Sequence, residues 1–277
     1  MNFQYSPLRY PGGKAKIAPL LIDCIKINEL SNCLYFEPFA GGAGAALDLL
    51  LNEHVQSIHI NDADKSVYSF WYSILNHTDA FIKKVISTPV TIDEWKKQKI
   101  VFESKNGKLL DKGFAAFFMN RCNVSGILSG GVIGGLKQKG NWKLDARMNK
   151  DSLIKKIEKI SLYAQRIIIK NLDWQKFLDE TFSNMNNDKY FIYLDPPYYK
   201  KGQDLYMNFF MHEDHVMLEE YLRNKPNWIL TYDYSPEILE IYKAYDKQEY
   251  FLNYSVRTVR KGKELIIYSK NIKGRLT

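Results

Sequence analysis

Cys33-Leu34-Tyr35-Phe36-Glu37-Pro38-Phe39-Ala40-Gly41-Gly42-Ala43-Gly44 is the stretch that decides the fold. Residues 33–36 form a short apolar run of the kind that makes a buried strand, and residues 40–44 are a glycine turn. Residues 45–52 follow as a helix and 57–61 as a second strand, after which Asp64 is placed to cap a helix through residue 73. Strand, glycine turn, helix and strand in that order open a doubly wound α/β fold.

Working outward, Ile17, Leu20, Leu21, Cys24 and Ile25 recur at helical spacing and predict a helix over 14–26. Between residues 76 and 166 the α/β alternation stops. Thr91 and Glu94 have capping-box spacing ahead of a basic helix, and 114–120 is an apolar helix. Residues 126–140 hold six glycines in fifteen positions, too many for a regular helix. Residues 149–165 are helical, with Lys150, Lys155, Lys156 and Lys159 on a basic face. Alternation then resumes with a strand over 166–170, a helix over 173–182, a strand entering Asp195, and later strands over 228–232 and 265–269. The expected architecture is one α/β core, 1–75 with 166–277, interrupted by a mostly helical insertion over 76–165.

Composition narrows the partners. The chain has 277 residues, 45% of them hydrophobic, which suffices for a large core, and its net charge of +8 favours a polyanion. No stretch approaches the roughly 20 consecutive apolar residues of a membrane span. Residues 1–14 lack the apolar centre of a signal peptide. Cys24, Cys33 and Cys122 are odd in number and widely spaced, against a disulfide framework or a zinc knuckle. His212 and His215, three apart, have no visible third ligand, so they read as a solvated helix start and no metal is expected. These features predict a cytoplasmic, reduced protein.

The glycine turn lets a ligand approach the backbone closely, although alone it could be no more than a tight strand-to-helix turn. Asp62, eighteen residues after Gly44 and at the end of the next strand, stands where an acid can accept hydrogen bonds from ribose hydroxyls. No Lys-Ser or Lys-Thr follows the glycines, so the ligand needs a ribose but no phosphates. S-adenosylmethionine fits that description. Tyr10-Pro11-Gly12-Gly13-Lys14 sets an aromatic and a lysine around a second glycine turn, where Lys14 could meet a carboxylate. Asp173-Trp174 could bond and cover an adenine ring; a helix cap followed by a core tryptophan fits the same two residues equally well.

Asp195-Pro196-Pro197-Tyr198 follows the apolar run 190–194. Proline has no N–H and a fixed φ, so this backbone offers stiffly held carbonyl oxygens. A carboxylate and a proline carbonyl can accept both protons of an exocyclic amino group while a tyrosine ring covers the base. A strand ended by a proline turn explains the prolines but neither the acid nor the aromatic.

These residues match a family. The ordered set runs from Pro7-Leu8-Arg9-Tyr10-Pro11-Gly12-Gly13-Lys14 through Glu37-Pro38-Phe39, Asn61-Asp62, Asn120-Arg121 with Ser125-Gly126, Asp173-Trp174 and the tetrapeptide, to Lys263-Glu264-Leu265-Ile266. It resembles the Dam-type DNA adenine-N6 methyltransferases, in the order cofactor motif, recognition insert, catalytic motif. The resemblance implies a seven-stranded Rossmann-like core binding S-adenosylmethionine, with double-stranded DNA held between core and insert and the target adenine flipped out. By motif match, Tyr10, Lys14, Phe39, Gly41, Gly42, Asp62, Asp173, Trp174 and Asp195 would form the cofactor site, and Asp195, Pro196, Pro197 and Tyr198 would carry catalysis. Two departures stand out. The glycine motif is one residue longer than the Phe-x-Gly-x-Gly form, which leaves both Gly41 and Gly42 as the residue abutting the methionine, and Trp174 stands where phenylalanine is common.

The insert is expected to contact DNA through Asn120, Arg121, Ser125, Lys137, Lys139, Lys143 and Arg147, with Arg260 in a second basic cluster. Arginine and asparagine can read base edges, whereas lysines mostly hold phosphates. For any single lysine a solvated surface is the simpler reading. The rival functions are methylation of RNA adenine or another planar amine, and DNA binding by an inactive methylase homologue. A monomer associated with the nucleoid is expected, with a separately acting restriction endonuclease as a candidate partner.

Overall fold

The computed structural model describes residues 5–9, 17–185, 189–199, 210–256 and 258–275, and of residues 251–261 the backbone alone. Seven strands form one sheet: β1 (Leu34–Glu37), β2 (Ser57–Asn61), β3 (Ile167–Lys170), β4 (Tyr190–Leu194), β5 (Trp228–Asp233), β6 (Asp246–Val256) and β7 (Thr258–Tyr268), in the order β3-β2-β1-β4-β5-β7-β6. The first five run parallel, whereas β7 enters antiparallel between β5 and β6. Every residue of β4 and β5 is buried, as a parallel strand covered on both faces requires. Alternation along the strands then sorts side chains to two faces. Tyr35, Phe191 and Tyr193 join one apolar cluster; Phe36, Ile192 and Leu194 join the other.

The chain proceeds from β1 outward to β2 and β3, then returns to β4 on the opposite side of β1 and continues to β5. Strand order therefore reverses between β1 and β4, where open α/β sheets bind ligands beyond the carboxyl ends of their strands. Glu37 ends β1, and Asp195 directly follows β4.

Helices α1 (Ala18–Ile27) and α2 (Gly44–Leu51) contribute to the first cluster. So do the helices between β2 and β3: α3 (Lys65–Asn76), α4 (Thr78–Ser87), α5 (Ile92–Glu103), α6 (Leu109–Cys122) and α7 (Lys150–Ser161). Phe70, Phe81, Phe114 and Phe117 form an aromatic knot joining α3, α4 and α6, with centroids 5.5–6.2 Å apart. Each such ring contributes about 1.5–3 kcal/mol when fully buried. Gly113 permits the closest approach of α6 to α3, since a Cβ there would lie 2.3 Å from the Ser69 carbonyl oxygen. Helices α8 (Trp174–Ser183), α9 (His212–Leu222) and α10 (Pro236–Ile241) cover the second face.

The expected second strand and the expected caps recur. Asp64 accepts the Ser66 amide at 2.7 Å and Thr91 that of Glu94 at 3.2 Å. Helix α6 begins five residues earlier than its apolar run, with a half-buried first turn of Leu109, Leu110, Asp111 and Lys112. Helices α4 and α10 and strand β6 were not among the expected elements, although Phe81, Ile82, Val85 and Ile86 recur at helical spacing in α4.

Candidate active site at the carboxyl edge of the sheet

The turn after β1 is tied down from two sides. Gly41, at φ +48°, donates its N–H to Asp62 Oδ2 at 2.9 Å, and its carbonyl accepts the Trp71 indole N–H at 2.9 Å. Asn61 donates to the carbonyls of Pro38 and Leu172 and accepts the Leu172 amide, linking the exits of β1, β2 and β3. Asp62 also accepts the Asp64 amide at 2.8 Å. Burial, followed by the nearby Asp64 carboxylate, pushes the Asp62 carboxyl up to about 7, although both amide donors oppose the shift. With two oxygens and one amide on each, Asp62 retains acceptor capacity for hydroxyl groups. Gly41 and Gly42 are buried beside it, and Phe39 is half-buried, 5.7 Å from Phe210. A carboxylate acceptor next to a turn without side chains fits a ribose-bearing ligand.

Asp195 is braced from the neighbouring strand. Thr231, at the centre of β5, donates from Oγ1 to Asp195 Oδ1 at 2.9 Å and lies 2.9 Å from the Tyr193 hydroxyl. A threonine hydroxyl has one proton, so Tyr193 must donate to Thr231 for Thr231 to donate to Asp195. The next residues of the loop are held as well. The Tyr198 hydroxyl donates to Glu264 Oε1, and the Tyr199 amide donates to Asp233 Oδ1 at 2.9 Å. Glu37 is a further acid here. It accepts the Tyr35 hydroxyl at 3.1 Å, and burial pushes its carboxyl up to about 8, with Asp195 adding to the shift against the Tyr35 bond. At neutral pH Glu37 is therefore mostly protonated and adds little negative charge beside Asp195.

Other expected residues fall differently. Asp173 caps α8, accepting the Gln175 amide at 2.9 Å, and Trp174 is buried edge-on against Tyr221. Their placement fits the local reading of a helix cap followed by a core tryptophan. Tyr10 and Lys14 lie outside the described residues, as does the side chain of Arg260. His215 corrects the expectation of a solvated helix start: it is fully buried, 2.7 Å from the Tyr232 hydroxyl, because the inner side of α9 packs on β5. Burial lowers it to about 4. Cys122 is buried, its thiol pushed up to about 12 by desolvation. No group of three or more potential metal ligands occurs among the described residues.

In the insert, Asn120 does not present itself as a reader of base edges. It is buried, accepts the Arg9 amide at 2.7 Å, and donates to the carbonyls of Arg9 and Gly126. Gly126, at φ +78°, has no room for a side chain, since a Cβ would lie 2.6 Å from the Arg9 carbonyl oxygen. Arg121 grips the Arg147 and Pro7 carbonyls, and burial followed by Arg9 lowers its guanidinium to about 10. The signal for Asn120 was present: it is a lone amide closing the apolar stretch 114–119, where a polar side chain must find internal partners. Part of the basic helix face is also structural, because Lys150 caps the carbonyls of Ile86 and Thr88 and Lys156 reaches that of Ser6. Lys143 holds its own loop through the Gln138 and Gly140 carbonyls. Lys137, Lys139 and Arg147 are exposed, and Ser125 is half-buried in a left-handed conformation. Arg147 covers Trp142, a residue the sequence reading passed over, which is 69% exposed.

The strand order and the carboxyl-edge site together define the core of an S-adenosylmethionine-dependent methyltransferase. A family model of D12 class N6 adenine-specific DNA methyltransferases matches residues 10–260. The chain belongs to that family: it is an enzyme that methylates adenine N6 in DNA, with S-adenosylmethionine as the methyl donor. No curated protein matches the chain. Among the described residues, no helix is long and apolar enough to cross a membrane.

Proposed function

We propose that the target adenine is flipped out of double-stranded DNA and received at the end of β4, its N6 held by the Asp195 carboxylate and the Pro196 carbonyl. Flipping costs on the order of a few kcal/mol of stacking and pairing. Stacking on Tyr198 returns about 1–3 kcal/mol. The N6 lone pair is delocalised into the ring, and two hydrogen bonds accepted at Asp195 and Pro196 localise it. The methyl donor supplies an electrophilic carbon on a cationic sulfur. Transfer is a direct in-line displacement in which these residues position and orient. Asp195 stabilises the nitrogen as it becomes positive, N6 then releases one proton to solvent, and Pro197 keeps the loop stiff. The observation that carries this reading is the Tyr193–Thr231–Asp195 chain, which directs a braced carboxylate to the switch point of the sheet.

The cofactor site is assigned to Phe39, Gly41, Gly42 and Asp62, with Asp62 on the ribose hydroxyls, and by motif to Tyr10, Lys14, Asp173 and Trp174. Residues 76–165 act as the recognition insert on a core of 1–75 and 166–277. The exposed Lys137, Lys139 and Arg147, together with Arg260, hold phosphates, so affinity falls steeply with salt. The enzyme works as a cytoplasmic, nucleoid-associated monomer, either alone or beside a restriction endonuclease of the same site. The test is to incubate the protein with tritiated S-adenosylmethionine and unmethylated genomic DNA, digest to nucleosides, and repeat with Asp195→Ala. Label in N6-methyldeoxyadenosine that disappears in the variant is expected. An Asp195→Ala protein that transfers methyl at the normal rate would overturn the mechanism.

A further inference from the structure

We propose that Glu264 is a positioning residue for Tyr198, fixing the ring on which the flipped base stacks; the proposal rests on the reading of Tyr198 given above. Glu264 lies on β7 between two strands, paired in register with Asp233 on β5 and Tyr250 on β6. It is only 1% exposed, and its carboxylate accepts the Tyr198 hydroxyl on one oxygen and the Tyr250 hydroxyl on the other. Its register partner Asp233 accepts the Tyr199 amide at 2.9 Å. Two consecutive residues of the catalytic loop are therefore held by two acids that sit opposite each other in the sheet.

A carboxylate is an expensive choice for this interior. Packing alone would be served as well by an apolar residue of similar volume, because desolvating an ion offsets much of what its partners return. The carboxylate provides direction instead. A charge-assisted bond to a phenol is short and strongly oriented, so it fixes where the far end of the Tyr198 ring lies. Tyr250 holds the second oxygen, which prevents the carboxylate from rotating away. Tyr198 as a whole is only 6% exposed, so its ring is thereby set before any base arrives.

The experiment compares wild type, Glu264→Gln, Tyr198→Phe, Tyr198→Ala, Tyr250→Phe and the Glu264→Gln/Tyr198→Phe double variant. Each is assayed for methyl transfer to unmethylated genomic DNA, for S-adenosylmethionine affinity and for thermal unfolding. Glu264→Gln and Tyr198→Phe should each lower kcat, by up to roughly 100-fold as expected for a misplaced reacting group. Cofactor affinity should stay within twofold, and Tyr250→Phe should show a smaller loss in kcat. The double variant should be no slower than the slower single, because both changes break one bond. Additive losses, or a wild-type kcat in Tyr198→Phe, would overturn the proposal. Tyr198→Phe keeps the ring and removes one hydroxyl, so it decides the matter even if Glu264→Gln does not fold. If the wild type transfers methyl and Tyr198→Ala does so equally well, the stacking reading fails; if only Tyr198→Ala is impaired, the role of Glu264 alone fails.

Discussion

The turn after β1 and the loop after β4 occupy the same end of neighbouring strands, yet they are held by different means. The first is a main-chain shape: Gly41 is fixed through its own N–H and carbonyl by Asp62 and Trp71, and Pro38 through its carbonyl by Asn61. The second is a set of side chains braced by other side chains from later strands, Thr231 of the adjoining β5 on Asp195 and Glu264 of β7 on Tyr198. A main-chain turn defines a shape into which a ligand fits. A braced carboxylate and ring define directions in which a reaction proceeds. Damage to the first should therefore appear in cofactor affinity, and damage to the second in turnover.

The largest expected effect is that of Asp195→Ala. Removing the acceptor of N6 should lower kcat by about 10²–10⁴-fold, the range of a lost acid–base or orienting group, with cofactor binding retained in equilibrium dialysis. Asp62→Ala should do the opposite. It removes an acceptor worth about 1–3 kcal/mol, weakening S-adenosylmethionine about 5–150-fold while single-turnover rates at saturating cofactor stay near normal. Thr231→Val preserves shape and removes the donor to Asp195, so kcat should fall by about tenfold, the equivalent of one hydrogen bond of roughly 1.4 kcal/mol. If Thr231→Val instead weakened cofactor binding, the division between the two sides would blur.

The smallest effect concerns Glu37, which sits between them. Its carboxyl is raised from 4.5 to about 8, so between those values the folded protein keeps a proton that the unfolded chain has released. By linkage, this group's contribution to stability falls as pH rises through that window and is constant above about 8. The slope cannot exceed about 1.4 kcal/mol per pH unit. Denaturant melts from pH 5 to 8 should show stability declining with pH more steeply in wild type than in Glu37→Gln. Equal slopes would mean that Glu37 is ionised in the fold.

How much of this was legible in the sequence follows the same division. The core of the fold was, because strand, turn, helix and strand are local patterns, and Ser57–Asn61 and the Asp64 cap lie where spacing puts them. The turn after β1 was legible for the same reason, since glycines and an acid at a fixed offset report backbone shape. The braces of Asp195 and Tyr198 were not, as their partners stand 36 and 66 residues away and no local rule links them. Glu264 offered one clue, an acid heading the apolar run 265–268. An asparagine next to an arginine in a basic insert suits a DNA groove, yet the Asn120 side chain is bonded to Arg9, 111 residues away, and to Gly126 in the glycine-rich loop.

The most direct test of the account is a single-turnover measurement of methyl transfer to DNA, with S-adenosylmethionine raised to saturation, for Asp62→Ala and Asp195→Ala in parallel. The account predicts that Asp62→Ala recovers a rate close to wild type as cofactor saturates, whereas Asp195→Ala remains slow at every concentration. Recovery by Asp195→Ala, or a rate in Asp62→Ala that stays low at saturation, would contradict it.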